Sequence, residues 1–228
     1  MSQAILLKAK DFQNSPQEMD LRGLLDSLQS VDWIQGMIAR GYGWHFDVGS
    51  FLTPIVGGGN GTVFDQDQPE FAIAIPSGYV CVPFRVDINC KTPLIAADAD
   101  ISEILLAADV AALAAGLNAT NGTMETPTNM RTNISSACPF TVASALTMNI
   151  TNPTLGVELA REVITGDVQG TAANALWGRL KMLYEPKRQP FIVGPAGLYG
   201  YWGGTVATSG YGSIEFLAFR SDLLLGLV

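Results

Sequence analysis

Pro190-Phe191-Ile192-Val193-Gly194-Pro195-Ala196-Gly197 leads directly into Leu198-Tyr199-Gly200-Tyr201-Trp202, and past a Gly/Thr/Ser turn the chain resumes as Ser213-Ile214-Glu215-Phe216-Leu217-Ala218-Phe219. Both runs are aromatic and β-prone. Gly203-Gly204 and Ser209-Gly210 lie between them, so the pair reads as two antiparallel strands. Alternation along the first run sets Tyr199 and Tyr201 on one face and Trp202 on the other.

The same grammar extends toward the N-terminus. Glu70-Phe71-Ala72-Ile73-Ala74-Ile75-Pro76 ends at Ser77-Gly78, and Tyr79-Val80-Cys81-Val82-Pro83-Phe84-Arg85-Val86-Asp87-Ile88-Asn89-Cys90 follows at once. A turn this short between two such runs marks a hairpin or a corner. In the second run Val82, Phe84, Val86 and Ile88 fall on one face, with Arg85, Asp87 and Asn89 on the other, which predicts one buried and one wet face. Pro83 cannot donate a ladder hydrogen bond, so this strand is expected at a sheet edge or with a bulge at that point.

In Ile101 to Gly116 the alanine content favours helix while Glu103-Ile104-Leu105-Leu106-Ala107-Ala108 fits a buried strand equally, and the preferred reading is a strand followed by a short helical turn. Further strands are expected at Tyr42 to Val48, at Phe140 to Ile150, and toward Tyr184. In the last of these, Leu176, Gly178, Leu180, Met182 and Tyr184 alternate with Trp177, Arg179, Lys181 and Leu183. Val157 to Thr165 fits a short helix or a strand, and the Asn/Thr/Gly/Pro-rich stretch from Asn118 to Thr132 reads as a long loop. About eight β segments at this spacing predict a mainly β protein, an antiparallel β-sandwich, over residues 41–228.

Residues 1–40 differ. Ser15-Pro16-Gln17-Glu18 is a capping box with proline at the first helical position, and Leu21, Leu24, Leu25, Leu28 and Val31 recur at helical spacing. A helix of about four turns with one apolar stripe is expected. It has two possible seats: the chain's own β body, or a neighbouring subunit.

Composition narrows the function. In 228 residues, 48% apolar, 13 basic side chains stand against 21 acidic ones, a net charge of −8. A chain so acidic lacks the electrostatic footprint of a nucleic-acid binder. Between Lys91 and Met130 the acidic residues Asp98, Asp100, Glu103, Asp109 and Glu125 outnumber the single base, and they read as a solvated face. The longest apolar stretch, Ile104 to Leu117, contains Asp109 and is shorter than the roughly 20 residues of a membrane-spanning helix. The first ten residues carry no secretory pattern, so synthesis and folding in a cytoplasm are expected. On that expectation the sequons at Asn60, Asn118, Asn121, Asn133 and Asn149 are a by-product of polar loops. Cys81 and Cys90 would lie about 30 Å apart in a straight strand, so the three cysteines are expected as free thiols.

Catalytic schemes find little support. His45 is the single histidine and sits between Trp44 and Phe46 in a strand, which removes most Ser-His-Asp, Cys-His and zinc arrangements. A cupin metal site would need several histidines. Gly57 to Gly61 lacks the Lys-Ser/Thr of a phosphate loop, and Gly194-Pro195-Ala196-Gly197 opens no helix. Asp65/Asp67 and Asp98/Asp100 offer calcium-type oxygens without an EF-hand pattern. Glu103, Glu158, Glu162 and Glu215 leave open a carboxylate pair of the glycosidase kind. No cofactor and no metal site is predicted.

The run Ile73 to Val86, together with Phe191-Ile192-Val193-Gly194-Pro195 through Phe219, resembles the strands of single jelly-roll virion proteins, the capsid or capsid-associated subunits of tailless and phage-like viruses. The resemblance spans Gly41 to Phe219. It implies a non-enzymatic homo-oligomer, a trimer or a larger shell, localised to the virion and in contact with other virion proteins. On that view Leu21, Leu24, Leu25 and Leu28 of the arm and Trp177, Tyr199, Tyr201 and Trp202 are the candidate interface residues. Many such proteins carry a basic N-terminal arm. Residues 1–40 instead hold Lys8, Lys10, Arg22 and Arg40 against Asp11, Glu18, Asp20, Asp26 and Asp32, so no direct contact with nucleic acid is expected. The alternatives are a carbohydrate-binding β-sandwich that stacks sugars on Tyr199, Tyr201, Trp202 or Tyr211, and a glycan-processing enzyme.

Overall fold

The computed structural model describes residues 33–58, 65–92, 101–109, 117–134, 136–147, 156–165, 178–204 and 208–223. The arm residues Leu21 to Val31, together with Trp177, Asp98 and Asp100, lie outside them.

A short helix, α1 (Trp33–Ala39), precedes thirteen strands among the described residues. In chain order these are β1 (Gly43–Val48), β2 (Ile55–Val56), β3 (Phe71–Ile75), β4 (Tyr79–Thr92), β5 (Ile101–Asp109), β6 (Thr123–Glu125) and β7 (Thr128–Asn129). There follow β8 (Thr141–Ser144), β9 (Val157–Thr165), β10 (Gly178–Tyr184), β11 (Ile192–Val193), β12 (Ala196–Gly204) and β13 (Ser209–Arg220).

One sheet, A, runs β10-β4-β13-β1-β7, with β11 also on β4 and β2 also on β13. The other, B, runs β6-β8-β3-β12-β5-β9, and every pairing is antiparallel. The eight strands of five or more residues divide four and four, β10-β4-β13-β1 against β3-β12-β5-β9. This is the strand order of a jelly roll, so the β-sandwich expected from the alternation is what forms. Val157 to Thr165 is a strand, and Asn118 to Thr132 is less irregular than expected, since it contributes β6 and β7.

The core between the sheets is apolar and aromatic. Phe46 packs edge-on against both Phe71 and Phe216, and Phe140 stacks on Phe216 at 5.7 Å. Leu180, Met182 and Tyr184 point inward from β10 while Lys181 and Leu183 point out, as the alternation requires. Gly200 faces this core from β12, where a Cβ would strike the Phe71 ring. Glycine is what lets the ring lie across the central strand.

The face assignment expected for β4 is corrected by a bulge. Glu215 pairs with Arg85 but Phe216 pairs with Pro83, so Phe84 is an extra residue. Beyond it the parity of the strand reverses: Val86, Ile88 and Cys90 face the intersheet core, whereas Val80 and Val82 face outward beneath α1. Of the two explanations for Pro83, the bulge holds and the edge does not, because β4 lies between β13 and β10. The parity change also brings Cys81 and Cys90, nine positions apart, to the same core as free buried thiols.

On the outer face of sheet A, Ile34, Met37 and Ile38 of α1 pack with Tyr42 and Phe84 on Val80, Val82, Leu217 and Phe219. Across the molecule, Ala72, Leu105, Ala107, Ala143, Leu146, Tyr199 and Tyr201 form a second buried layer outside sheet B. β12 is therefore covered on both faces along its whole length.

Candidate functional site

The most unusual chemistry lies where β3 begins. Glu70 donates its main-chain N–H to Gly200 O and accepts the Ala145 N–H on its own carbonyl, both at 2.9 Å, so its backbone is held between β12 and the end of β8. Its side chain then turns inward. Oε1 accepts the Gly58 N–H at 2.6 Å and Oε2 accepts the Trp202 N–H at 2.9 Å. The β3–β12 ladder ends at the Phe71–Gly200 pair, and the carboxylate supplies the acceptor that a further strand residue would have offered to Trp202.

Neighbouring bonds fasten the same region. Trp202 Nε1 donates to Ile55 O at 3.1 Å, Tyr201 OH to Gln66 O at 2.9 Å, and Gly57 N to Thr208 O at 2.7 Å. The short strand β2 with Gly57 and Gly58, and the segment 65–68, are thereby tied to β12 and to Thr208.

Burial pushes the Glu70 carboxyl up to about 8, against the two amide bonds that favour its charged form. Asp65 adds to the rise by like-charge repulsion. Glu70 also lines an open cleft of about 350 Å³ with Pro54, Ile55, Val56, Ala145, Leu146 and Thr147. Ala145 has φ +49°, the only positive φ of a non-glycine residue among those described, and it ends β8 at Ser144, short of the expected strand to Ile150. A strongly perturbed acid in a cleft with a strained neighbour is the usual mark of a reactive site. Here, however, no other lining side chain is ionisable, and both carboxyl oxygens are engaged with backbone. The arrangement does the work of a clasp.

The carboxylates singled out from the sequence do not converge on a reactive gap. Glu103 and Glu158 bind one guanidinium, Arg161, with Nη1 to Glu103 at 2.5 Å and Nη2 to Glu158 at 2.8 Å. The Arg161 hydrogen bond holds the Glu158 carboxyl below the usual carboxylate range. Glu162 is exposed on the same edge strand, and Glu215 stands on the other sheet, in register between His45 and Arg85. His45 itself is outward-facing, 3.3 Å from Asp47. Asp65 accepts the Asp67 N–H in a local turn. No group of three or more His, Cys, Asp or Glu residues positioned for a metal occurs among the described residues. The expectation of a solvated acidic face is also corrected, since Glu103 and Asp109 are both buried, Glu103 beneath Arg161.

Tyr199, Tyr201 and Trp202 are buried, with relative exposures of 1%, 0% and 0%, and the alternation is as expected: the tyrosines outside sheet B, the tryptophan in the core. As interface or sugar-stacking residues these three are corrected, because layers on both sides of β12 leave them no free ring face. The exposed apolar side chains lie elsewhere. Trp33 stacks on Phe191; Val193 stands opposite Val80 and Leu183 opposite Asp87, seven positions further along β4, with the exposed Arg85–Glu185 ion pair between them. Phe51, Leu52 and Val56 form a tip in which Lys91 Nζ sits 3.6 Å over the Phe51 ring and Tyr211 meets it edge-on. Val157 and Val163 are exposed on edge strand β9. Leu183 was visible in the alternation of β10, and Phe51-Leu52 carries a weak signal in its position between Gly49-Ser50 and Thr53-Pro54.

No protein-family model matches this chain, and no curated protein matches it.

Proposed function

We propose that this chain is a non-catalytic structural subunit that assembles with copies of itself, as the shell or decoration of a virion. The observation that carries the reading is the jelly-roll order of the eight long strands combined with large apolar side chains left outside a well-filled core. That architecture serves three main classes: capsid subunits, lectin-like domains and cupins. A cupin needs clustered imidazoles, whereas His45 is the chain's single histidine and points away from the core. A lectin that stacks sugar on the β12 aromatics needs ring faces that Tyr199, Tyr201 and Trp202 do not offer.

Self-association fits the surface. Leu52 is 86% exposed, with Val56 at 63% and Phe51 at 61%, on a protein whose core is already filled by Trp44, Phe46, Phe71, Trp202 and Phe216. Apolar clusters left outside such a core mark contact surfaces, and a stable contact hides about 800 Å² per partner. Burial of this kind resists moderate salt, unlike charge-driven assembly.

The test is the mass of the purified full chain by light scattering across a concentration series, with negative-stain imaging of large species. Trimers, rings or shells that dissociate in a Phe51→Ser/Leu52→Ser variant are expected. A monomer at every concentration overturns the reading, and saturable glycan binding by such a monomer would move it to the lectin class.

A further inference from the structure

Pro54, Ile55 and Val56 of the β2 segment, with Ala145, Leu146 and Thr147 beyond β8, line the open cleft of about 350 Å³ beside Glu70. That volume falls within the range of small-ligand sites, and the walls are largely aliphatic. Glu70 is the lining residue that can carry a charge, and it is buried. Ala145, at φ +49°, ends β8 and opens the 145–147 wall. A non-glycine residue held in that conformation is strained, and such strain gathers where ligands are clamped.

A carboxylate taken out of water is costly unless an opposite charge meets it. The Gly58 and Trp202 N–H groups use one acceptor position on each Glu70 oxygen, which leaves about half of the roughly four that a carboxylate offers. Among the described residues no lysine or arginine pairs with it. The side-chain charge acting on it is a second carboxylate, Asp65, and burial and that repulsion together hold the carboxyl at about 8. The missing partner is therefore a cation that tolerates aliphatic walls. A guanidinium fork wants both oxygens of a carboxylate side by side, and here each is already committed to a different main-chain amide. A metal ion needs several ligands, and no group of three or more His, Cys, Asp or Glu positioned for one occurs among the described residues. A primary ammonium is a compact charge with three donors, and a carbon stem behind it can lie along apolar side chains.

We propose that this cleft binds a short aliphatic primary ammonium, with its head on Glu70 and its stem along Ile55, Val56 and Leu146. The chemistry is that of a free alkylamine or of a lysine side chain. No covalent bond forms, and the two main-chain bonds that make Glu70 a clasp are kept. The site is independent of the assembly reading and serves a monomer and an oligomer alike.

The test titrates the full-length protein, methyl-labelled at isoleucine, leucine and valine, with n-butylammonium chloride at pH 9 and follows it by NMR. At that pH Glu70 is mostly ionised and the amine still mostly protonated. n-Butanol, the same chain with a neutral head, and sodium chloride at matched ionic strength are the controls. Saturable shifts of the Ile55, Val56 and Leu146 methyl signals are expected, with n-butanol at least about tenfold weaker, the difference that one charge-assisted hydrogen bond makes. Glu70→Gln should bring butylammonium down to the level of n-butanol. The methyl spectrum of that variant reports whether it is folded, and the comparison of the two ligands in the wild type stands without it. Nα-acetyl-lysine methylamide separates the sources: tighter binding than butylammonium assigns the site to a protein lysine, equal or weaker binding to a free amine. Absence of saturable shifts with both amines, equal affinity for butylammonium and n-butanol, or undiminished binding to folded Glu70→Gln would each overturn the proposal.

Discussion

The Glu70 carboxylate stands in for a strand: it receives the main-chain N–H of Trp202 at 2.9 Å at the point where the β3–β12 ladder stops. Its other oxygen holds Gly58 at 2.6 Å, so one side chain closes the end of sheet B and secures the 55–58 segment. Replacement by alanine leaves two amides without their acceptor. Glu70→Ala is therefore expected to lower unfolding free energy by about 2–6 kcal/mol, at roughly 1–3 kcal/mol per unsatisfied group, read from the urea midpoint at pH 6.

The same carboxyl predicts a pH dependence. Its folded value, about 8, lies above its ordinary 4.5, so between these limits the native state binds a proton that the unfolded chain has lost. This group imposes no cost below about pH 4.5, and its penalty grows as pH rises from there to about 8. Melting temperature should accordingly fall from pH 5 to pH 9 in the wild type, and the fall should be shallower in Glu70→Gln, which cannot ionise. Equal slopes in the two proteins would show that Glu70 titrates normally in the fold.

Gly200 gives a steric prediction. A methyl group there collides with the Phe71 ring, which is fully buried and wedged edge-on against Phe46. Gly200→Ala should cost about 1–3 kcal/mol as an overpacking change. Gly200→Ala/Phe71→Leu should recover part of that loss, and a double-mutant cycle in guanidinium measures the coupling.

Arg161 separates two kinds of ion pair. Glu158 is solvent-exposed, and its removal should cost less than about 1 kcal/mol. The Glu103 side chain is only 10% exposed and depends on the same guanidinium. Arg161→Ala should therefore destabilise more than Glu158→Ala, because it strands a largely desolvated carboxylate, and the gap should persist in high salt. Thermal melts of the two variants at low and high ionic strength decide it.

The strands were legible because apolar alternation and Gly/Pro punctuation are local properties, as in Leu180, Met182 and Tyr184 of β10. What could not be read was which of a buried strand's two faces meets which layer. Tyr199 and Tyr201 look like surface aromatics in a glycine-rich run, and only the closing of a second layer outside sheet B makes them interior. Glu70 carried no signal at all. Its role arises from Gly58 and Trp202, which are distant in sequence and meet it only after the sheets have assembled. Pro83 was a clear flag of irregularity, but whether it meant an edge or a bulge depended on the partner strand.

That bulge supports the sharpest prediction. Phe84 is the extra residue between the Val82 and Arg85 portions of β4, so removing it joins two stretches whose faces already agree: Val80 and Val82 outward, Val86 and Ile88 inward. Deletion of Phe84 should leave a folded protein, destabilised by about 1–3 kcal/mol for the lost packing against α1. Deletion of Asp87 removes a residue of similar exposure to Phe84 from a regular stretch, and it turns part of β4 inside out, exchanging Val86 for Arg85 in the core or Ile88 for Asn89. That variant should fail to fold. Far-UV circular dichroism and the urea transition of the two deletions test this, and a cooperative transition for the Asp87 deletion would show that the bulge does not set the faces of β4.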